Sequence, residues 1–452
     1  MNRAASMRAF GFVAMLSLLW PAGLLRAQDA DAAIPELSLA DAIQIAVVNN
    51  RPVKIALLDV TKSQWQVAAA KSKRFPAIST YFFGAGNLTS PSFTIKKDQF
   101  GLVDNMPVPA QNTKISLSQG FTGYVVAEVA QPLSQLYRIN LAVREQELET
   151  DLSKQKYEGK RQSLVADVKQ AYYAVLQTES ALSAADALVK QYHETDRVVL
   201  DYIAQRSVLK SNSLDVKAKL AQAQYEVVQL GDTLQTQKEH LNELLSRDID
   251  TPFRVQEVPP QTQQEMDLKV ARQTALSQRP EVKEAVIDTE RAEYDRKLAR
   301  SQYIPDIGIA FHYLSPINTQ ILPENIASAG VEMRWDPFDW GKRRDDVRQK
   351  DITITQSKYQ LDETRSQVLL DVDNTFRKLA EGRALLYVAE AARDAASEKL
   401  REVNDQFKKS AVLLRDVLEQ EAAVSNANHQ YEESLLAFWS SKANFEKALG
   451  EE

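Results

Sequence analysis

The sequence predicts a mainly α-helical protein with a β-barrel segment, in which long helices are joined to four β-strands per chain. Two features predict the helices. All 16 prolines fall outside the tracts Leu133–Thr251 and Phe338–Glu452, and both tracts are rich in Ala, Gln, Glu, Lys and Leu. A third feature, an internal repeat, predicts that the chain contains two copies of one module.

The repeat is visible both in the helical tracts and before them. Apolar residues follow the same helical spacing in two sets that lie 204 residues apart: Leu164, Val168, Tyr172 and Val175, then Val368, Val372, Phe376 and Leu379. Shifting Leu39–Phe82 by 229 residues onto Leu268–Phe311 gives 13 identities in 44 positions. About three would be expected by chance, so the offset indicates a duplication.

The element boundaries follow from proline, glycine and periodicity. We predict a first repeat over 28–251 and a second over 252–452. Each repeat has two shorter helices, a hairpin, a long helix and a second helix. In the first repeat these lie at about 38–50, 53–75, 77–131, 134–205 and 212–248. In the second they lie at about 267–278, 281–303, 306–336, 338–408 and 413–449. A helix of 70 residues spans about 100 Å and needs lateral packing along its length.

The first 27 residues read as a secretory signal. Arg3 and Arg8 precede the apolar run Phe10–Trp20, and Ala27 is a plausible cleavage site. The alternative is a permanent anchor helix, but the uncharged run is shorter than the roughly 20 residues that a membrane span needs. Cleavage changes the net charge from −6 to −9, which argues against a nucleic-acid partner.

The predicted strands have one apolar and one polar face. The segments "DIGIAFHYL" (Asp306–Leu314), "IASAGVEMRW" (Ile326–Trp335) and "KISLSQGFTGYV" (Lys114–Val125) all alternate in this way. Such strands suit a transmembrane barrel with lipid outside and water inside, although a soluble sheet half-buried on a core has the same pattern. Four strands cannot close a barrel and a bilayer tolerates no open edge, so spanning strands would require several chains to share one barrel.

Each hairpin is expected to end at a proline that starts the long helix. Pro132 and Pro337 would stop a strand and occupy the first helical turn. Aromatic side chains near these junctions suit the membrane interface. The residues concerned are Tyr137, Trp335, Phe338 and Trp340.

These junctions resemble those of the TolC-type outer-membrane efflux family. "AEVAQPLSQLYRI" and "VEMRWDPFDWGKRRDDV" are similar to the family patterns Q-P-L and P-[LF]-[DN]-x-G-[KR], with Trp340 where a glycine is common. The resemblance covers the mature chain. It implies a homotrimer with a twelve-stranded barrel in outer-membrane lipid and a periplasmic tunnel of twelve helices. The partners it implies are a periplasmic adaptor and an inner-membrane RND, ABC or MFS pump.

The resemblance also implies two helix-turn-helix tips at the periplasmic end. "QRSVLKSNSLDVK" (Gln205–Lys217) and "QFKKSAVLLRDVLEQE" (Gln406–Glu421) match these tips, although the family's tip glycines are absent. The adaptor-contact residues would be Ser207, Val208, Leu209, Ser410, Ala411 and Val412. Asp416, Glu419 and Asp215 would form an acidic ring at a closed aperture. An ordinary solvated acidic face is the alternative.

No enzymatic motif supports catalysis. Four histidines form neither an HExxH motif nor an i, i+4 pair, and the chain has no cysteine. We therefore expect no metal site, no cofactor and no enzymatic activity. The expected function is an outer-membrane exit duct for efflux or type I secretion. A periplasmic coiled-coil scaffold without a pore is the competing interpretation.

Overall fold

A computed structural model describes residues 35–89, 92–116, 120–205, 209–258, 266–318, 323–409, 411–412 and 414–451. The predicted signal segment, residues 1–27, lies outside the described residues. Helices dominate the described chain. None of the described helices combines the length and the apolar character needed to cross a membrane.

In the residues that the structure describes, the first repeat has four helices and seven strands. In chain order these are β1 Glu36–Leu37, α1 Leu39–Asn49, α2 Arg51–Ser72, β2 Ala77–Asn87, β3 Ser92–Ile95, β4 Leu102–Val103, β5 Met106–Pro107, β6 Thr113–Ser116, β7 Gly120–Pro132, α3 Gln135–Ala204 and α4 Lys210–Leu244. The second repeat has β8 Arg254–Val255, α5 Leu268–Gln278, α6 Pro280–Ser301, β9 Asp306–Ile317, β10 Ile326–Arg334, α7 Lys342–Lys408 and α8 Leu414–Leu449. The helix bounds differ from those expected by no more than four residues.

The long helices α3 and α7, of 70 and 67 residues, run beside pairs of shorter helices. Each is about 100 Å long. Helix α3 packs against α2 and α4, and α7 packs against α6 and α8. Contacts of α3 with α6 and α8 join the two repeats.

Asn50 joins α4 and α2 end to end. Its Nδ2 donates to Leu244 O at 3.0 Å, and its Oδ1 accepts from Val53 N at 3.2 Å as the N-cap of α2. The amide therefore satisfies a carbonyl at the end of one helix and an N–H at the start of the next. As a result, α4 and α2 together run along most of α3.

Arg279 occupies the equivalent joint between α8 and α6. Its Nη1 donates to Ala448 O at 3.3 Å, while the same guanidinium pairs with Glu281 at 3.0 Å and with Asp371 at 2.8 Å. The two joints therefore use different chemistry at positions 229 residues apart.

Two apolar cores lie beside these joints. The first core contains Ala46, Val168, Tyr172, Leu241 and Leu245, all fully buried. The second core is smaller and is formed by Ala271, Ala275, Val282, Val368, Val372, Phe445, Ala448 and Leu449. Most of its members are displaced by 204 or 229 residues from members of the first core.

The four longest strands form one antiparallel sheet in the order β10-β9-β7-β2. Val129 lies opposite Phe311, and Phe311 lies opposite Ala329, so the apolar residues align on one face. Each edge strand, β10 and β2, has one neighbour within the described chain. The sheet is therefore open at both sides.

The segment Lys114–Val125 is not the single strand that its alternation predicted. Its first part belongs to β6, which pairs with β3, and its last part belongs to β7, which pairs with β2. Gly120 opens β7 with φ 133°, a conformation that side chains rarely adopt. Residues 84–113, within the predicted hairpin 77–131, contain the end of β2, the short strands β3, β4 and β5, and the start of β6.

Candidate functional site

The junction after Pro132 is tied to the start of the neighbouring hairpin. Pro132 is the last residue of β7, and α3 begins at Gln135 with Ser134 as the preceding residue. Ser134 Oγ donates to Pro305 O at 2.6 Å and accepts from Ile307 N at 2.7 Å. These bonds satisfy backbone groups where the regular ladder has ended. The strand thus passes to the helix within two residues.

A salt bridge supports the same junction. Arg138, in the first turn of α3, lies 3.1 Å from Asp306 at the start of β9. Ser134 and Arg138 therefore both join the start of α3 to the start of β9. Sequence reasoning singled out Pro132 and missed Ser134, although a serine before a helix is a recognisable signal.

The second junction is longer and is organised by Asp339. Strand β10 ends at Arg334 and α7 begins at Lys342. Asp339 accepts from Gly341 N at 3.1 Å and from Arg343 N at 3.0 Å. The backbone N–H of Arg343, the N–H of Gly341 and the Arg343 guanidinium lower the pKa of Asp339. Gly341 has φ 92°, which favours glycine at this sharp turn.

The expectation that both prolines lie in the first helical turn is wrong. Pro132 ends a strand, and Pro337 lies in the connector five residues before α7. Proline contributes by preventing extension of the ladder. Ser134 bonds the backbone of the neighbouring hairpin, and Asp339 accepts from the N–H of Arg343 at the start of α7. Ring stacking also marks the second junction, because Phe338 and Trp340 meet edge to face at 4.7 Å.

The four aromatic residues assigned to the membrane interface all lie at these junctions. Tyr137 is on the first turn of α3, and Trp335 directly follows β10. Trp340 is the most exposed of the four, at 89%. In the described chain, a group of exposed aromatic side chains therefore lies at one end of the long helices.

At the opposite helix ends, the structure describes part of each tip. Leu209 precedes α4 and is 74% exposed. Ala411 is exposed, and Val412 is half-buried. Ser207, Val208 and Ser410 lie outside the described residues.

The three acidic residues at the tips lie on two helices. Asp416 and Glu419 are one turn apart on α8, where Asp416 is half-buried and Glu419 is exposed. Asp215 is exposed on α4. Within the described part of one chain, α3 packs against both α4 and α8, but α4 and α8 have no extensive contact with each other. A ring of these carboxylates would therefore need neighbouring chains.

Comparison with known proteins identifies the family. The profile of the family described as Outer membrane efflux protein matches residues 42–247 and 271–451. A search of curated proteins finds no match.

Solved structures share the fold over nearly the whole chain. A membrane protein from Pseudomonas aeruginosa superimposes with a TM-score of 0.74 at 15% identity, covering 92% of this chain and 91% of its own. The Campylobacter jejuni CmeC outer membrane channel gives 0.74 at 15% identity, covering 91% and 85%. The outer membrane protein VceC from Vibrio cholerae gives 0.70 at 15% identity, covering 91% and 96%. At this identity the structures establish the fold, and the profile establishes that the chain belongs to the outer membrane efflux protein family.

Proposed function

We propose that three copies of the chain pool their sheets into one closed barrel, which receives substrates from a periplasmic adaptor and an inner-membrane pump. As a member of its family, the chain is an outer-membrane exit duct with a long periplasmic helical extension. One observation supports the shared barrel: a four-stranded sheet with one apolar face has two open edges. In a bilayer each open edge would leave N–H and C=O groups without partners.

The assembly is tested by measuring mass and conductance. The protein is extracted in detergent, its oligomeric mass is measured by light scattering, and the particle is placed in a planar bilayer. A trimer that conducts ions is the expected result. A monomer that remains in solution without detergent would overturn the proposal and favour the scaffold interpretation.

Two matched arginine variants test which face meets lipid. Val331 lies on the apolar face of β10, and Ser328 lies on its polar face. Val331→Arg should prevent stable insertion, because an arginine facing lipid at the bilayer midplane costs about 2–4 kcal/mol. Ser328→Arg should insert and change conductance. Equal insertion of both variants would contradict the assignment of the faces.

The acidic ring is proposed as the selectivity element of the periplasmic aperture. Asp416, Glu419 and Asp215 would bring nine carboxylates towards the threefold axis, where they attract cations. Single-channel recording of Asp416→Ala/Glu419→Ala should show weaker cation preference and weaker block by multivalent cations. The control is Glu402→Ala/Asp405→Ala, a pair with the same spacing on α7. If the two double variants behave alike, these residues are a solvated acidic face.

The tips are proposed as the adaptor-contact surface. Because the chain has no cysteine, a single introduced thiol gives a unique crosslinking position. Leu209→Cys and Val412→Cys should crosslink to a periplasmic protein in the native cell. Thr233→Cys, in the interior of α4, is the control. Mass spectrometry of the crosslinked product would identify the adaptor, and co-purification would distinguish an RND, ABC or MFS pump. Crosslinking at Thr233 alone would contradict the assignment.

A further inference from the structure

Three side chains with metal-binding atoms meet on the polar face of the sheet. They are Glu128 on β7, His312 on β9 and Glu332 on β10. One ligand atom from each lies within 4.8 Å of the other two, and His312 Nε2 is 3.0 Å from Glu332 Oε1. We refer to these three residues as the Glu-His-Glu cluster. It is the sole group of this kind within the described ranges.

Strand register places all three residues on one face. Glu128 is directly opposite His312, and Glu332 is opposite Gly308, an even number of residues from His312. Between His312 and Glu332 lie Ala310 and Gly330, which are opposite each other. These two small residues leave room for the longer side chains to meet above the sheet. Ala310 is accordingly only 1% exposed.

The charges of the cluster are unbalanced. Glu128 has no hydrogen bond or ion pair from its carboxylate to any side chain within the described residues, and Glu332 is bonded to His312 alone. With a neutral imidazole the cluster carries two negative charges. A bound divalent cation would neutralise both, so the cluster has the charge as well as the atoms of a cation site.

We propose that the Glu-His-Glu cluster binds one first-row divalent metal ion, with Zn²⁺ as its probe. An imidazole nitrogen and two carboxylate oxygens are accepted ligands of Zn²⁺, whereas the absence of thiolate argues against a Cu⁺ site. Zn²⁺ holds such ligands at about 2.0–2.2 Å, which sets tetrahedral ligand atoms about 3.4 Å apart. That separation lies between the 3.0 Å of the His312–Glu332 pair and the 4.8 Å limit of the cluster. The cluster supplies three ligands and leaves a fourth position for water or a passing anion.

The location of this ion rests on the proposed function. In a shared barrel the polar face lines the water-filled interior, so three chains would place three ions around one level of the duct. A bound divalent cation there would neutralise the negative charge of the two carboxylates. Zn²⁺ should therefore lower cation conductance, through a site distinct from the aperture carboxylates on α4 and α8.

Calorimetric titration of the full-length, detergent-purified protein with Zn²⁺ tests the binding. One saturable site per chain is expected. His312→Asn and Glu332→Gln should each weaken binding by at least about tenfold, because even the outer partners of metal ligands are worth 10–100-fold in affinity. His429→Asn, which changes a histidine outside the cluster, should leave the affinity unchanged. Equal affinity in all variants, or no saturable site, would overturn the proposal and leave a simple His–Glu pair.

Two further measurements separate the possible failures. Electron paramagnetic resonance of the wild-type protein with one equivalent of Cu²⁺ should show coupling to a single imidazole nitrogen, and a signal without nitrogen coupling would also overturn the site. This readout holds even if a variant fails to assemble. Conductance in metal-free buffer tests the duct, whereas its change on adding Zn²⁺ tests the site. A conducting channel without Zn²⁺ sensitivity would therefore contradict the ion's place in the duct and leave the proposed function intact.

Discussion

The two helical cores have the same pattern of apolar residues, but within the described residues a polar seam of hydrogen bonds closes the first core and not the second. Tyr172 Oη donates to Gln256 O at 2.7 Å, lies 2.9 Å from Leu37 O and accepts from Gln256 N at 2.8 Å. These bonds hold the β1–β8 strand pair over the first core. Phe376 stands at the equivalent position of the second core and has no hydroxyl.

The difference shows how one hydroxyl changes the closure of a repeated helical unit. Phe376 is half-buried against Phe445, with ring centres 5.8 Å apart, and borders an open groove together with Leu379, Phe438 and Leu449. An apolar ring can pack there, but it cannot bond the backbone of a covering segment. The buried hydroxyl of Tyr172 is fully satisfied, which makes its removal costly.

The largest effect on stability should come from truncating a buried leucine at equivalent positions in the two cores. Leu245 and Leu449 are both almost fully buried. Replacing either by alanine should lower the free energy of unfolding by about 2–5 kcal/mol, with Leu245 at the upper end because its sealed core can relax less. Denaturant unfolding in detergent measures both, with exposed Lys190→Ala as the control. A larger loss at Leu449 would contradict the comparison.

A smaller effect on stability should come from removing the hydroxyl of Tyr172 at the polar seam, or adding one at the equivalent Phe376. Tyr172→Phe removes the hydroxyl that bonds Gln256 O, while the Gln256 N–H keeps its other bond, to Leu37 O at 3.2 Å. The loss should cost about 1–3 kcal/mol. Phe376→Tyr is the reverse exchange and should not stabilise the second core, because the Phe376 ring borders an open groove. Hydrogen exchange of Leu37 and Gln256 should rise in Tyr172→Phe. Unchanged exchange would show that the seam is held by other contacts.

Alkaline pH should loosen the first core selectively. Burial raises the pKa of Tyr172 from 10.0 to about 12, opposed in part by its hydrogen bond to the Gln256 backbone. Because the folded pKa is above the unfolded value, this stabilising contribution is complete below pH 10 and is lost as the pH rises towards 12. Burial also raises the pKa of Tyr173. Protein carrying Tyr172→Phe should therefore lose less stability over this pH range than the wild type, as measured by circular dichroism. An equal loss would assign the effect to other groups.

The smallest effect should distinguish the two helix joints. Asn50→Ala removes a cap and a bond to Leu244 O, which should cost about 1 kcal/mol at any ionic strength. Arg279→Ala removes ion pairs to Glu281 and Asp371, so its cost should shrink as salt is raised. Unfolding at low and high salt measures this difference. A matching salt dependence for the two variants would show that the joints are equivalent.

Much of the helical part could be predicted from the sequence, because proline placement and a 3.6-residue period are local signals. The positions of α3 and α7 follow from tracts without proline, and the offset between repeats indicated residues that occupy equivalent places in both cores. The strand segment was harder, since alternation across residues 114–125 gives no sign that Gly120 begins a different pairing. The role of Asp339 was not predicted, because α7 was expected to begin directly after Pro337 and Asp339 would then lie inside the helix. In the structure Asp339 lies in a turn before α7 and accepts from the N–H groups of Gly341 and Arg343.

By itself the sequence determined the long helices, the duplication and the junction residues from which the family was inferred, because these depend on order and spacing along one chain. The tertiary structure alone decided which distant groups meet. It placed the Asn50 amide on Leu244 O and the Tyr172 hydroxyl on the backbone of Gln256. It also brought His312 together with carboxylates from two other strands. The reason is that cross-strand register and helix stacking are set by packing between segments that are far apart in sequence, as Asn50 and Leu244 are at 194 residues, and no local spacing specifies that packing.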